Sequence, residues 1–343
     1  MDNSVGRLPM LHHQQMARPP DELPPALAKA PFTVSQALAS GLSRKRLRGH
    51  DLDRPFHGVR RLQTDPSFAD PPDRHSYAAA VLAHDWDALA LVLPREAFLS
   101  HLTAARLWPV PLPEADPDEP LHVGVPRGRQ PPHRRGVVGH HITDPNAYAV
   151  HRDGRLFIDP ASMFCQLGRH LRLDDLVAVG DALILAPKFT QDAADRPWLP
   201  AYDLARRVAV FRGRGKARAE QAVALIRPGS ESRMESLLRV AAGQAGLPAP
   251  EINADVHAAD GTFLGCGDLV YRRRRVIAEY DGDHHRSNSR QYAKDVGRLE
   301  RFGAHGWRVV RVTGPDFFAD RRACVGRIDK ALRAAGWIPG DPC

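Results

Sequence analysis

The sequence predicts a mixed α/β (α+β) protein of several units, and three observations carry that expectation. The chain has 343 residues, more than one ordinary domain holds. From Glu231 onward, apolar residues at helical spacing alternate with short β-rich runs. The first 25 residues are rich in Pro, Gln and His without periodicity, unlike all that follows. The expected division is an unfolded tail over 1–25, a small basic module over 26–65, a mixed α/β domain over 66–225 and a helix-and-sheet domain over 226–338.

In the basic module, Thr33 is placed to cap a short helix through Ala39, Gly41 to turn the chain, and Ser43 to cap a second helix, RKRLRGH. Arg54 to Leu62, RPFHGVRRL, reads as a β-ribbon with a glycine turn. Helix, turn, basic helix and ribbon is the layout of a winged helix-turn-helix, whose second helix enters a DNA groove. DNA contacts are then expected from Ser43, Arg44, Lys45, Arg46 and Arg48, with Arg60 and Arg61 on the ribbon. A small helical cap with a solvated basic face would have the same pattern.

From Ser76 to about Ala224, apolar runs such as ALALVLP, LHVGVPRG and LDDLVAVGDALI follow one another with proline-rich joints, as expected of a mixed α/β unit. This segment offers no evident chemistry. His101, Thr103 and Arg106 cluster at a predicted helix start, where capping and packing account for them as well as catalysis would. RGRGKAR, Arg212 to Arg218, reads as a basic linker or helix start able to meet phosphate.

Beyond it the expected order is helix (Ser230–Ala245), strand (Glu251–Ala258), strand (Leu264–Tyr271), strand (Val276–Asp281), helix (Ser289–His305), strand (Trp307–Thr313) and a last helix over Pro315–Ala335. Gly306 should end the fifth element, and the nearly unbroken apolar character of WRVVRVT suggests a strand covered on both faces. If Arg272 to Arg275 connect a hairpin, Tyr271 faces Val276 and Asp268 falls opposite Glu279. Like charges about 5 Å apart across a pair are destabilising, and a hard divalent cation held by both would offset the repulsion. Alternation puts Asp281 on the same face as Glu279, so three carboxylates are expected to converge. Each acid has a plainer reading: Glu235 stands three after Ser232, the capping-box spacing, and Asp295 and Arg298 stand three apart, as in an ordinary surface ion pair. The arginine tip, Arg273 and Arg274 included, either solvates a loop or neutralises backbone phosphates.

An acidic helix, a meander carrying D and then E-x-D, a helix and a further strand resemble the PD-(D/E)XK nuclease core. EYDGDHH with Asp295, Arg298 and GWRVVRVT is similar to the very-short-patch-repair-like endonuclease domains, over about the last third of the chain. The resemblance implies an αβββαβ core, Glu235 as the helix acid, Asp268 and Glu279 as ligands of Mg²⁺ or Mn²⁺, and His285 as a polar site residue. Asp281 replaces the motif lysine, so the positive charge would have to come from Arg298, Lys294, His285 or a second metal. Roughly Phe32 to Ile184 resembles AbiEi-type antitoxins, on LTAARLWPVPLP from Leu102 and LVAVGDALI from Leu176, which implies an autoregulatory DNA-binding protein of toxin–antitoxin systems.

Composition sets wider bounds. Lys+Arg total 48 against 40 Asp+Glu, a net charge of +8 that favours polyanionic partners. Four scattered cysteines without a C-x-x-C pair argue for a reducing cytoplasm, against a zinc ribbon and against a disulfide frame. The 17 histidines include the pairs His12-His13, His140-His141 and His284-His285, which lack ligand spacing and are expected mostly at the surface. No apolar run approaches the roughly 20 residues that cross a bilayer. Two functional expectations result: a Mg²⁺- or Mn²⁺-dependent DNA endonuclease using Glu235, Asp268, Glu279, Asp281, His285 and Arg298, or a non-catalytic DNA-binding regulator or antitoxin. DNA is the expected partner of either, with a second copy of the chain or a toxin protein as further candidates.

Overall fold

The structure is a computed structural model that describes residues 22–63, 74–116, 118–186, 188, 196–282 and 289–341. The expected tail lies outside the described residues up to position 21. The chain divides into two compact units, Met1–Arg95 and Glu96–Cys343, so the boundaries expected near 65 and 225 both fall inside units.

The first unit holds α1 (Pro25–Ala28), β1 (Phe32–Thr33), α2 (Val34–Ala39), β2 (Leu52–Asp53), β3 (Val59–Leu62) and α3 (Arg74–Ala90), with an antiparallel sheet ordered β1-β3-β2. Thr33 caps α2 through a full capping box: its hydroxyl accepts from Gln36 N at 3.1 Å, and Gln36 Oε1 accepts from Thr33 N at 2.7 Å. The expected second helix is corrected to a single 3₁₀ turn, Arg46–Arg48. Ser43 Oγ does accept from Arg46 N at 3.1 Å, but Gly49 leaves helical geometry at once with ψ 146°. Arg46 turns inward instead, its guanidinium donating to both Asp51 oxygens at 2.9 and 2.6 Å, which ties the loop shut one turn after it starts. Phe32, Ala37, Leu47 and Leu52 form the core beneath.

The second unit opens with a six-stranded mixed sheet. Its elements are β4 (Phe98–Leu99), α4 (His101–Leu107), β5 (Leu121–Pro126), β6 (His133–Arg134), β7 (Val137–Ile142), β8 (Ala149–Arg152), β9 (Arg155–Ile158), α5 (Pro160–Leu167) and α6 (Leu173–Ile184), in sheet order β6-β7-β5-β4-β9-β8. Then come α7 (Ala201–Val210), α8 (Lys216–Leu225) and α9 (Arg233–Gln244). The four-stranded sheet β10 (Glu251–His257), β11 (Phe263–Tyr271), β12 (Val276–Asp281) and β13 (Arg308–Thr313) runs in that order, with α10 (Ser289–Ala304) between the last two and α11 (Gly314–Ala319) and α12 (Arg321–Ala334) after them.

On one side of this sheet Leu269, Tyr271, Val276, Ala278, Val310 and Val312 pack with Leu237, Leu238 and Ala241 of α9 and Ile328 and Leu332 of α12. On the other, Val256, Leu264, Val270 and Ile277 pack with Phe302 of α10 and with Trp307. The helix–strand–strand–strand–helix–strand order is the one expected, with one correction. The last helix is broken at Asp320, whose extended backbone (φ −149°) and side chain, accepting from Ala323 N at 2.9 Å, start a new helix. WRVVRVT is packed on both faces, Val310 and Val312 in the first cluster and Trp307 and Val309 in the second, while β13 lies at the sheet edge and exposes Arg308 and Arg311.

The second unit is joined internally by a buried ion pair. Asp181 of α6, fully buried, accepts from Arg239 Nη2 and Ser236 Oγ of α9 at 2.5 and 2.7 Å and from Arg227 N at 2.7 Å. Burial pushes its carboxyl up, against the opposing pull of Arg239 and the hydrogen bonds. Among the described residues, no helix is long and apolar enough to cross a membrane.

Candidate functional site

The antiparallel β11–β12 pair has the expected register, with Tyr271 opposite Val276, Val270 opposite Ile277 and Leu269 opposite Ala278. Arg272–Arg274 form a 3₁₀ turn and Arg275 closes it in the left-handed region at φ 49°. One step further along the same register, Asp268 stands beside Glu279. There Tyr280 N donates to Asp268 Oδ2 at 2.8 Å, so this carboxylate replaces a ladder carbonyl. Glu279 is buried and held by Arg298 of α10, which donates to both of its oxygens, the Nη2–Oε2 contact being 3.2 Å. Arg298 also donates to Cys266 O at 2.9 Å.

Gly265 makes this reach geometrically feasible. Its φ of 152° suits glycine, and a Cβ there would lie 2.8 Å from Arg298 Cγ and 3.1 Å from the Phe302 ring.

Glu235 begins α9, where its backbone N donates to Ser232 Oγ at 3.2 Å. Its Oε2 accepts from Glu231 N at 2.9 Å and from Asn253 Nδ2 at 2.7 Å, so it caps the helix and also reaches β10. Asn253 sits in the left-handed region at φ 45°, a conformation its short amide side chain tolerates better than most.

Burial pushes the Asp268 carboxyl up to about 8, and the nearby Glu235 and Glu279 charges push it the same way. Burial also raises Glu279, opposed by Arg298. These four side chains therefore form one electrostatic group on neighbouring elements. The expected convergence of three carboxylates is corrected: Asp281 is bound instead by Arg311 of β13 at 2.6 Å. Arg298 also lies 3.7 Å from Asp295. His284 and His285 lie outside the described residues, as does the Lys294 side chain.

The raised Asp268 carboxyl has a measurable consequence. Its folded pKa lies above the usual aspartate value of about 4, so in EDTA the folded chain holds a proton that the unfolded chain releases, and stability falls as pH climbs from about 4 to about 8. Asp268→Asn keeps an acceptor for Tyr280 N and removes the titration. Its melting temperature is expected to exceed the wild type's by several °C at pH 8, at roughly 2–4 °C per kcal/mol, with the difference closing toward pH 4. A pH-independent difference in thermal melts would refute this.

The expected DNA contacts fare unevenly. Arg44, Lys45 and Arg48 are exposed and have no carboxylate partner among the described residues, while Ser43 serves as the cap of the turn. Arg46 is corrected: buried on Asp51, it is not available to phosphate. Arg60 donates to Leu47 O and Val59 O at 2.9 and 2.7 Å, and Arg61 is bound by Asp53 and Asp85 at 2.9 and 2.6 Å. At the hairpin tip, Arg274 bonds Asp341 at 2.9 Å and Arg273 is exposed.

A second cluster lies in the segment that seemed to offer no chemistry. His101 at the start of α4, His122 on β5 and His140 on β7 place one ligand atom each within 4.8 Å of one another. Among the described residues this is the one group of three or more such ligands. His122 Nδ1 and His140 Nε2 are 2.8 Å apart, and the His101 and His140 rings stack at 3.8 Å. Burial, then the neighbouring imidazoles and Arg169, lower all three, His101 to about 2 and His122 and His140 to about 4, so they are neutral at pH 7. His140 is thus corrected from an expected surface residue to a half-buried one facing two other histidines. Pair spacing could not reveal a group drawn from three elements. The available signal was a histidine inside the apolar run LHVGV.

The chain is similar to the uncharacterized proteins MT2308 of Mycobacterium tuberculosis strain CDC 1551 / Oshkosh and Rv2248 of strain ATCC 25618 / H37Rv, each 25% identical over 183 residues, 53% of this chain. The matched stretch spans 64% of the length of these relatives. No family model matches the chain, and no solved structure matches it.

Proposed function

We propose that the chain is a Mg²⁺- or Mn²⁺-dependent DNA endonuclease, with its hydrolytic centre at Asp268 and Glu279 and with the exposed arginines of its first unit contributing to DNA contact. The observation that supports this most is the juxtaposition of Asp268 and Glu279 on adjacent strands, within an element order like that of a PD-(D/E)XK core. Two carboxylates suit a hard cation, and the upward push of the neighbouring charges on Asp268 is what such a cation would relieve. When bound, the cation supplies Lewis acidity and a water of lowered pKa.

Asp268 and Glu279 would hold it. Asn253 fixes Glu235 at the helix end, where its free oxygen would orient a water. Arg298 supplies the positive charge that the absent motif lysine would have given, and it stays protonated beside Glu279. The reading is tested by incubating supercoiled plasmid with the purified full chain: nicking in Mg²⁺ or Mn²⁺ that EDTA abolishes supports it, and intact plasmid with both ions removes it.

One observation favours a second reading, a DNA-binding regulator or antitoxin that does not cut. Arg298 neutralises Glu279 and Arg311 neutralises Asp281, so these charges already satisfy one another as a structural network would. DNA binding with Arg44 and Arg48 changed to alanine is then expected to lose about one unit of log–log salt slope per phosphate contact removed, while Asp268→Ala binds as the wild type. Titrations at several salt concentrations check this, and an unchanged slope in the double variant would contradict it. A homodimer or a toxin partner belongs to this reading.

A further inference from the structure

We infer that His101, His122 and His140 form a site for a first-row transition ion, of which Zn²⁺ is the natural occupant, open to an oxyanion on its fourth side. The site is separate from Asp268 and Glu279 and takes a different class of metal. Imidazole nitrogen suits Zn²⁺ and Co²⁺ and is a poor donor for Mg²⁺.

The geometry is already near what is needed. Three imidazole nitrogens at bonding distance from one tetrahedral zinc would lie about 3.3 Å apart. The ligand atoms here lie within 4.8 Å of one another, with the closest pair at 2.8 Å. The ligands come from rigid places: adjacent parallel strands β5 and β7, and the first residue of α4. His101 adopts φ 49°, a backbone strain of roughly 1–3 kcal/mol. It is held there by its own N–H, which donates to Gln166 Oε1 at 2.9 Å, and by Ser100 Oγ at 3.1 Å from Nδ1. No carboxylate touches the three rings among the described hydrogen bonds and ion pairs, and the shortest contact, His122 Nδ1 to His140 Nε2, is a hydrogen bond between two of them. His170 stands edge-on at 5.5 and 5.3 Å from His101 and His122, with a buried Nε2 that has no hydrogen-bond partner among the described residues. Coordination would replace the shared His122–His140 hydrogen bond with bonds from all three imidazoles to one ion.

His101 and His140 line a cavity of about 690 Å³. Its wall also carries Arg169, Arg212 and Arg214, which are exposed and have no carboxylate partner among the described residues, and Arg207, which is paired with Asp144 of the same wall at 2.7 Å while its Nη1 is buried without a partner. Three protein ligands leave a fourth position, and this wall selects an anion for it, a phosphate or phosphate ester by charge and size.

The test is a Co²⁺ titration of the full chain in excess Mg²⁺, followed by visible absorption. One Co²⁺ per chain with tetrahedral d–d bands is expected, unaffected by Asp268→Ala, lost in His140→Gln, and shifted by inorganic phosphate. Saturating Zn²⁺ is expected to raise the melting temperature of the wild type. Because His140→Gln could disturb the sheet, its secondary structure is checked by circular dichroism and His122→Gln serves as a second variant. Wild-type protein that takes up no Co²⁺, or uptake that neither histidine variant lowers, overturns the site. Bands that phosphate leaves unmoved overturn its open fourth position. Loss in Asp268→Ala would move the metal to the acidic pair and overturn the histidine assignment.

Discussion

Asp268→Ala is expected to lower cation-dependent plasmid nicking by about 100-fold or more, the upper end of what loss of a residue merely supporting a metal ligand costs. The reasoning runs through charge. Asp268 is less offset by a cationic neighbour than Glu279: Glu279 shares both oxygens with Arg298, whereas the Asp268 carboxylate has one backbone N–H from Tyr280 and is pushed up by burial and then by Glu235 and Glu279. Removing it leaves Glu279 and Arg298 as a closed pair with little net charge for a divalent ion. Glu279→Gln should act in the same direction, leaving Arg298 buried without its counter-charge. Single-turnover nicking of supercoiled plasmid by folded variants checks both. A loss of less than threefold in Asp268→Ala would place the chemistry elsewhere.

Asp181→Ala is expected to cost about 3–5 kcal/mol of stability, the usual penalty for stripping one partner from a buried pair. It would strand Arg239, itself nearly buried, along with Ser236 Oγ and Arg227 N. The contact also ties α6 to α9 at Ser236 and Arg239, and Glu235 directly precedes Ser236 in the same helix. Denaturant unfolding measures the cost directly. Asp181→Ala combined with Arg239→Met should lose less than the two single changes added together, because the second removes the charge stranded by the first. Strict additivity would mean that the pair is not coupled.

Much of the four-stranded sheet was legible in the sequence, because local rules settle it. The four-arginine connection fixed the β11–β12 register, and the alternation of Val276 to Asp281 then set Asp268 beside Glu279. Spacing showed Arg298 as half of an i,i+3 pair with Asp295, and the family resemblance offered it as a source of positive charge, but its bond to Glu279 crosses 19 positions and no local pattern reveals it. The failures are those of long-range context overriding local pattern. RKRLRGH has helical residues, but the Arg46–Asp51 pair closes it after one turn. Pro315 to Ala335 reads as one helix because nothing in its spacing marks Asp320 as a second cap. The histidine group was illegible for the same reason, as β5, β7 and α4 meet only in the fold. The basic turn at Arg44 to Arg48 was visible as charge, whereas the diversion of Arg46 and Arg61 onto Asp51, Asp53 and Asp85 was not.

The central claim, that Asp268 and Glu279 together hold a hard divalent cation, is tested most directly by calorimetric titration of Mg²⁺, which imidazole binds poorly, into the full chain and its variants. The account predicts one site per chain that is present in the wild type, persists in His140→Gln and disappears in Asp268→Ala. Superimposable isotherms for the wild type and Asp268→Ala would contradict it.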